Sequence, residues 1–361
     1  VAGSGNQLIT TTGFYMHQVF IIGAAGRQDG HGSLDELNRL REQVTQAGLK
    51  LERLVIDPLK VGWSSPQARN HFRSGCGPLE ALAYAHTQLK EGAFEAVLIE
   101  GQDAIKTGYA REERDQLMQE VFGPDYPLPE AYTDLARSFC HQQGLSFEAF
   151  KQLRDQLFDN YHRSAPEVPV DDRWFAEITE LFRGVDCANP YTDYSGGLLL
   201  TRDDLVGSFD LAQPAIQVKG VGIGFAQGDG ADHLEELADY WHLEKAVHYA
   251  NLEAELEFAE VFNQGKALLE AYTCYPVVPL ALLLRGDFVQ DIREIPAWLK
   301  KHRLTLKGGM NLNRAPWNLP ALRALIEMTQ ALHNNPELIG GVHGNGGLGY
   351  KQGFAILGGN P

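Results

Sequence analysis

Cysteine is scarce in this sequence, and none of its four copies forms a CxxC pair. Cys76, Cys140, Cys187 and Cys274 are widely spaced. That spacing argues against a disulfide framework and against a zinc site, and it predicts reduced thiols in a cytoplasm and no bound metal. Basic residues are also in deficit: 31 Lys and Arg stand against 47 Asp and Glu, a net charge of −16. General nucleic-acid binders and binders of anionic membranes need basic surface, so neither is expected. An anionic ligand held by local cations or backbone N–H groups stays open. No apolar run approaches the roughly 20 residues that cross a bilayer. Residues 1–15 lack a basic start and an apolar stretch, so no secretory signal is expected there. Their Gly, Ser and Thr content reads as tag-like or disordered.

What is present is a globular composition, 44% hydrophobic and 22% charged over 361 residues, enough for two domains. Strand character is expected over residues 17–25, 54–56 and 96–100, with helices over 34–48 and 78–90 between them. Pro78 suits a first helical turn and Gly92 an exit. Residues 105–185 change character. They are charged, aromatic and helical, with Pro127, Pro129, Pro166 and Pro169 as punctuation, and read as an insertion. Strands resume at 196–201 and 216–221. A helix over about 243–263, an apolar segment at 267–271, a helix from 277, a helix over 319–333 and strands at 338–342 and 354–357 complete the chain. Strands alternating with helices predict an α/β architecture. The loose repetition of this logic divides the chain into halves at 16–206 and 207–361.

Three clusters carry candidate chemistry. Arg73-Ser74-Gly75-Cys76-Gly77 runs directly into a helix. A thiol there faces the positive end of the helix dipole, which favours thiolate and suits a nucleophile; the alternative is a small side chain filling a crowded loop. Tyr272-Thr273-Cys274-Tyr275-Pro276 follows an apolar strand. Strand ends of α/β folds are where ligands sit, so Cys274 is a candidate proton shuttle, or else a buried cysteine among aromatics. His343-Gly344-Asn345-Gly346-Gly347-Leu348-Gly349 reads as a glycine-rich loop between two strands. His343 at its mouth is a candidate general base or oxyanion donor, or else caps a turn. Gly220-Val221-Gly222-Ile223-Gly224 has GxGxG spacing with Gln227 in place of a third glycine, and reads as an inter-domain loop rather than a dinucleotide site. Cys140 and Cys187 read as structural. His242 and His248, six apart, fall on different helix faces and make no metal pair.

These segments resemble the thiolase superfamily, on the branch of sterol-carrier-type thiolases and thiolase-like proteins. Leu269 to Pro276 is similar to a stretch ending in Tyr-Ser-Cys-Phe-Pro. Val342 to Gly349 is similar to the closing glycine-rich hairpin, and Asn189 to Thr201 and Pro78 to Gly101 to segments of the N-terminal half. The resemblance implies a five-layered αβαβα fold with duplicated halves and a helical loop insertion. It implies a homodimer, with Val97 to Ile99 as a candidate interface strand. It also implies an acyl-coenzyme A substrate, no tightly bound cofactor, and acyl transfer at carbon–carbon bonds next to a thioester.

In that scheme Cys76 is the nucleophile, Cys274 moves a proton, and His343 stabilises the enolate oxygen. Asn318, Asn345, Gly346 and Gly347 serve as oxyanion and substrate-binding groups. Two departures stand out. Without a gap the nucleophile position falls on Gly75, with Cys76 one residue late; a loop adjustment would restore it, and otherwise the nucleophile is lost. The Gly-His-Pro of the family appears as Arg314-Ala315-Pro316. Two further classes therefore stay open: a retro-aldol lyase on acyl-CoA with a small zinc-ribbon/OB partner, and a non-catalytic CoA-binding scaffold.

Overall fold

The computed structural model describes residues 16–359, so the tag-like reading of residues 1–15 lies outside the described residues. The chain runs β1 (Val19–Gln28), α1 (Asp35–Gln46), β2 (Leu51–Ile56), β3 (His71–Phe72), α2 (Gly77–Lys90) and β4 (Ala96–Ala104). Three helices of the insertion follow: α3 (Arg111–Gln119), α4 (Leu128–Gln142) and α5 (Phe147–Ser164). Next come β5 (Asp193–Arg202), β6 (Ile216–Phe225), α6 (Leu234–Asp239), α7 (Trp241–Ala254), α8 (Phe258–Asn263) and β7 (Ala267–Glu270). The chain closes with α9 (Val277–Arg285), α10 (Ile295–Lys301), α11 (Gly309–Leu312), α12 (Pro320–Asn334), β8 (Ile339–Gly346) and β9 (Lys351–Gly358).

Nine strands join in the order β3-β2-β4-β5-β1-β6-β9-β8-β7. The join between halves is narrow: β1 meets β6 at only Val19 to Ile21. Side chains alternate across a strand, and that alternation separates three cores. In β4, Ala96 and Leu98 face a core with α1, while Val97 and Ile99 face a second core with α2 and α12. In β9, Ala355 and Leu357 face that second core, while Phe354 and Ile356 face a third with the outer helices and the insertion. The central helices are thus covered by sheet on both sides, which gives the αβαβα layering.

Two glycine runs differ from their sequence readings. The Gly220–Gly224 run is not a loop but the body of β6. A β-carbon on Gly220, Gly222 or Gly224 would strike the carbonyl oxygens of Ala250, Ala246 and His242 in α7. The closing run is not all loop either: His343 to Gly346 belong to β8, and the turn is confined to the residues after it. There, β-carbons on Gly344 and Gly353 would press on Leu79 at 2.8 and 2.9 Å, so these glycines admit the first turn of α2. The interface strand expected from the sequence also changes role. β4 is interior to the sheet, and Val97 and Ile99 are fully buried, so neither offers a sheet edge to a second copy.

Candidate active site

A cavity of about 380 Å³ opens where α3 and α4 of the insertion cover the strand ends of the C-terminal half. Its walls are mainly apolar, with Met118, Phe122, Leu128 and Trp317 among them. Such a lining suits a ligand with a large apolar part, oriented by few polar groups. Its polar groups include Asp115 and Gln119 of α3 and Asn318 before α12, and four further segments supply others. The loop before α2 gives Ser74 and Gly75, the segment after β7 gives Tyr272 and Cys274, α4 gives Tyr132, and the β8 hairpin gives Asn345 and Gly347.

The sequence-expected residues divide. Cys274, Asn318, Asn345 and Gly347 line the cavity; Cys76, His343 and Gly346 do not. Cys76 is fully buried, with its Sγ against Gly353 and its neighbours in the central core. Burial pushes its thiol well above the ordinary value, and Glu80 adds to the shift. This corrects the expectation of a thiolate at a helix N-terminus. The dipole favours the anion only for a side chain that faces it in a polar setting, and this one turns into apolar packing.

What faces the cavity in its place is Gly75. A β-carbon built there would fall almost on top of Tyr272 Oη, and within 2.5 Å of the Asn345 carbonyl oxygen. The phenol therefore occupies the space that a side chain at this position would fill. It stands at the N-terminus of α2, where the N–H groups of Gly75 and Cys76 have no acceptor among the described residues. Ser74, one residue earlier, is held at φ 85°, and its Oγ has no partner among the described residues. A non-glycine residue in that region stores strain of the kind that clusters at functional sites.

Behind the cavity runs a buried chain of hydrogen bonds. The Tyr272 N–H donates to His343 Nδ1 at 3.4 Å. His343 Nε2 meets Gln352 Oε1 at 2.9 Å. Gln352 Nε2 donates to Asn345 Oδ1 at 2.6 Å and to the Gly349 carbonyl at 2.9 Å. Asn345 Nδ2 donates to Tyr132 Oη at 3.0 Å and reaches towards Cys274 Sγ at 3.9 Å. The Cys274 thiol donates to Tyr132 Oη at 3.5 Å, and Tyr132 donates to the Gly347 carbonyl at 2.8 Å. Tyr275 stacks on Tyr132 with ring centroids 4.0 Å apart. His343 is thus linked to Cys274 through Gln352 and Asn345 but holds no face of the cavity.

Burial sets the protonation. It lowers His343 to about 4, so the imidazole is neutral at neutral pH. It raises Cys274 to about 12, and both Tyr272 and Tyr132 well above the ordinary phenol value. The Cys274 thiol and the Tyr272 and Tyr132 phenols are therefore protonated at neutral pH. Asn318 is pinned on both sides, accepting from Ser74 N at 3.1 Å and donating to the Asp57 carbonyl at 2.9 Å. One of its amide hydrogens is therefore committed. Ala315 lines the cavity where the resembled family carries histidine, and adds no donor.

Sequence reasoning missed Tyr132 and Gln352. Tyr132 sits on an inserted helix with no local motif. Gln352 carries a readable signal, because it pairs with Asn345 across the closing hairpin, but only once the hairpin's turn is placed after Gly346.

No family model matches the chain, and no curated protein matches it. Solved structures do. A monomeric SCP2-thiolase-like protein type 1 from Mycobacterium smegmatis aligns with a TM-score of 0.69 at 14% identity, over 95% of this chain and 78% of that one. An Ltp2–ChsH2(DUF35) aldolase aligns at 0.67 and 14% identity, over 96% and 98%. The Acat5 thiolase from Ascaris suum, in complex with coenzyme A, aligns at 0.63 and 13% identity, over 95% and 100%. At these identities the likeness is one of fold, and the chain has the thiolase-like fold.

Proposed function

We propose, from a thiolase-like fold whose nucleophile position is a glycine, that this chain is a carbon–carbon lyase. Its substrate is a β-hydroxyacyl thioester of coenzyme A with a bulky apolar acyl group, cleaved by retro-aldol chemistry without an acyl-cysteine. The single observation that carries this reading is Tyr272 Oη standing in the side-chain space of Gly75, with Cys76 turned into the core. Cys274 is then the one cysteine lining the cavity among the described residues, and it is a protonated thiol rather than a nucleophile. The coenzyme is carried over from the thiolase whose structure holds coenzyme A, and the reaction class from the neighbour described as an aldolase.

The proton circuit balances without a charged resting base. The β-hydroxyl gives its proton to Tyr272 Oη as the Cα–Cβ bond breaks, and in the same step the phenol, neutral at rest, hands its own hydrogen on towards Cys274, so that its oxygen never holds two. The β-carbon leaves as a carbonyl, and the bonding pair passes into the thioester enolate. The free N–H groups of Gly75 and Cys76, with the Asn345 amide, bear the enolate oxygen. Cys274 protonates the α-carbon, and its thiolate is restored by the proton Tyr272 passes on. Both side chains end as they began. A small partner subunit and a second copy of this chain belong to this reading as further proposals, the first by analogy with the two-component aldolase.

The test is cleavage of 3-hydroxyacyl-CoA esters with branched apolar acyl groups, with and without a zinc-ribbon/OB partner, followed by release of the carbonyl product. Tyr272→Phe is expected to lose about 10²- to 10⁴-fold in rate, the range of general acid–base contributions, while Cys76→Ala stays within a few-fold of wild type. Acyl label trapped on Cys76, with activity abolished in Cys76→Ala, overturns the reading and restores acyl transfer through that thiol.

A further inference from the structure

We infer that Gln352 is a positioning residue that fixes the orientation of the Asn345 side-chain amide, so that the site presents an NH₂ group, and not an oxygen, to the thioester. This rests on the thioester reading above for its catalytic consequence, but the orientation itself does not.

The argument follows hydrogens through the buried chain. The Tyr272 main-chain N–H can only donate, so His343 Nδ1 must accept. A neutral imidazole carries one hydrogen, which is then on Nε2, and His343 is held neutral by burial. The Gln352 atom facing it at 2.9 Å is therefore the carbonyl oxygen. Both Gln352 amide hydrogens are left for the other side. One meets the Gly349 carbonyl, which can only accept, an independent check on the same orientation. The other obliges Asn345 to offer Oδ1. The Asn345 NH₂ then points towards Tyr132 Oη and Cys274 Sγ, on the cavity side. The far end agrees. Tyr132 spends its own hydrogen on the Gly347 carbonyl, so its oxygen is free to accept.

Gln352 is fully buried, and its amide has every hydrogen used. A polar side chain fully buried near the start of a strand is costly unless satisfied. Here the cost maintains a direction. If Asn345 reversed, its carbonyl oxygen would face the developing enolate oxygen. A donor would be lost and a repulsion gained.

The experiment compares two variants of the full chain. Gln352→Glu keeps the shape and inverts the polarity: the carboxylate accepts from His343 and draws the Asn345 NH₂ towards itself. Gln352→Met keeps the length and imposes no direction. For the orientation role, kcat for cleavage falls by about 10²- to 10³-fold in Gln352→Glu, the usual effect of losing one such donor. KM changes little, and Gln352→Met loses at least tenfold less. Equal losses in the two variants, or a larger loss in Gln352→Met, overturn the proposal. A second arm needs no turnover and no variant that folds. Nuclear Overhauser contacts from the Asn345 amide hydrogens to the Tyr132 ring and the Cys274 β-protons are expected in the wild-type protein. Their absence, with contacts from those hydrogens to Gln352 instead, overturns the assignment even if the lyase reading is right. Their presence alongside inactivity towards every 3-hydroxyacyl-CoA keeps the assignment and removes the lyase reading.

Discussion

Gly75 and Tyr272 form a pair that can be tested as a pair. A methyl group at residue 75 competes with the phenolic oxygen for the same space and also meets the Asn345 carbonyl. Gly75→Ala is therefore expected to destabilise the fold by about 1–3 kcal/mol, the range for overpacking. Tyr272→Phe deletes the competing oxygen and should recover part of that loss, because the carbonyl contact remains. Urea denaturation of both single variants and the double variant gives the coupling, expected near 0.5–3 kcal/mol for residues in contact. Additive losses would mean that the phenol does not occupy the Gly75 space. The same pair marks how far residue-level reading reaches. Cys76, Cys274 and His343 were legible as chemistry-bearing residues, but the direction in which each side chain points was not. One residue of helix phase decides whether Cys76 meets a ligand or the central core. Gly75 says nothing by itself until Tyr272 is seen across from it.

At the scale of elements, strand and helix order was legible because the apolar periodicity and the Pro and Gly punctuation agree. The helix expected over 78–90 is α2, which begins one residue before Pro78, and the strand expected over 96–100 is β4, which begins at Ala96 and runs four residues further. The helix expected over 243–263 instead divides into α7 and α8, broken at Glu255, which adopts φ 54°. Glycine misled in both long runs, because turn and close approach leave the same mark in a sequence. For β6 the geometry explains the spacing. Two strand residues rise about 6.6 Å and four helix residues about 6 Å, so glycines at every second position match the row His242, Ala246 and Ala250 along α7. A helix lies in a groove cut by missing side chains, and no phosphate is needed to account for it. Gly222→Ala should push α7 off the sheet and cost about 1–3 kcal/mol or more by overpacking. The urea midpoint should fall with an unchanged slope. Wild-type stability in this variant would show that the run is not there to admit α7.

At the scale of the whole molecule, one buried cluster ties the layers together and sets a pH dependence. Glu270 closes β7 and accepts from Leu306 N at 2.6 Å. Arg323 and Glu327 lie in the same cluster on α12, the central helix, and Glu327 accepts from Asn313 at 2.8 Å. Burial, with Glu327 as the next cause, raises Glu270 from 4.5 to about 8. Its folded-state value lies above its unfolded one, so between those values the folded chain holds a proton that the unfolded chain has released. Stability from this residue is present in full below about pH 4.5 and is lost as pH rises towards 8. Two buried histidines work the other way. His343 and His86 are both lowered to about 4, so they cost stability as pH falls from 6.5 towards 4. Below pH 6.5 these slopes oppose each other; between 6.5 and 8 the two histidines no longer oppose Glu270. Glu270→Gln keeps the acceptor for Leu306 and has no proton to lose. The stability of the variant relative to wild type should therefore climb across pH 6.5 to 8 by up to about 1.4 kcal/mol per unit, read from urea midpoints at fixed ionic strength. Parallel curves for the two proteins across that window would show that Glu270 is ionised in the folded chain throughout, held by Arg323 against the cost of burial.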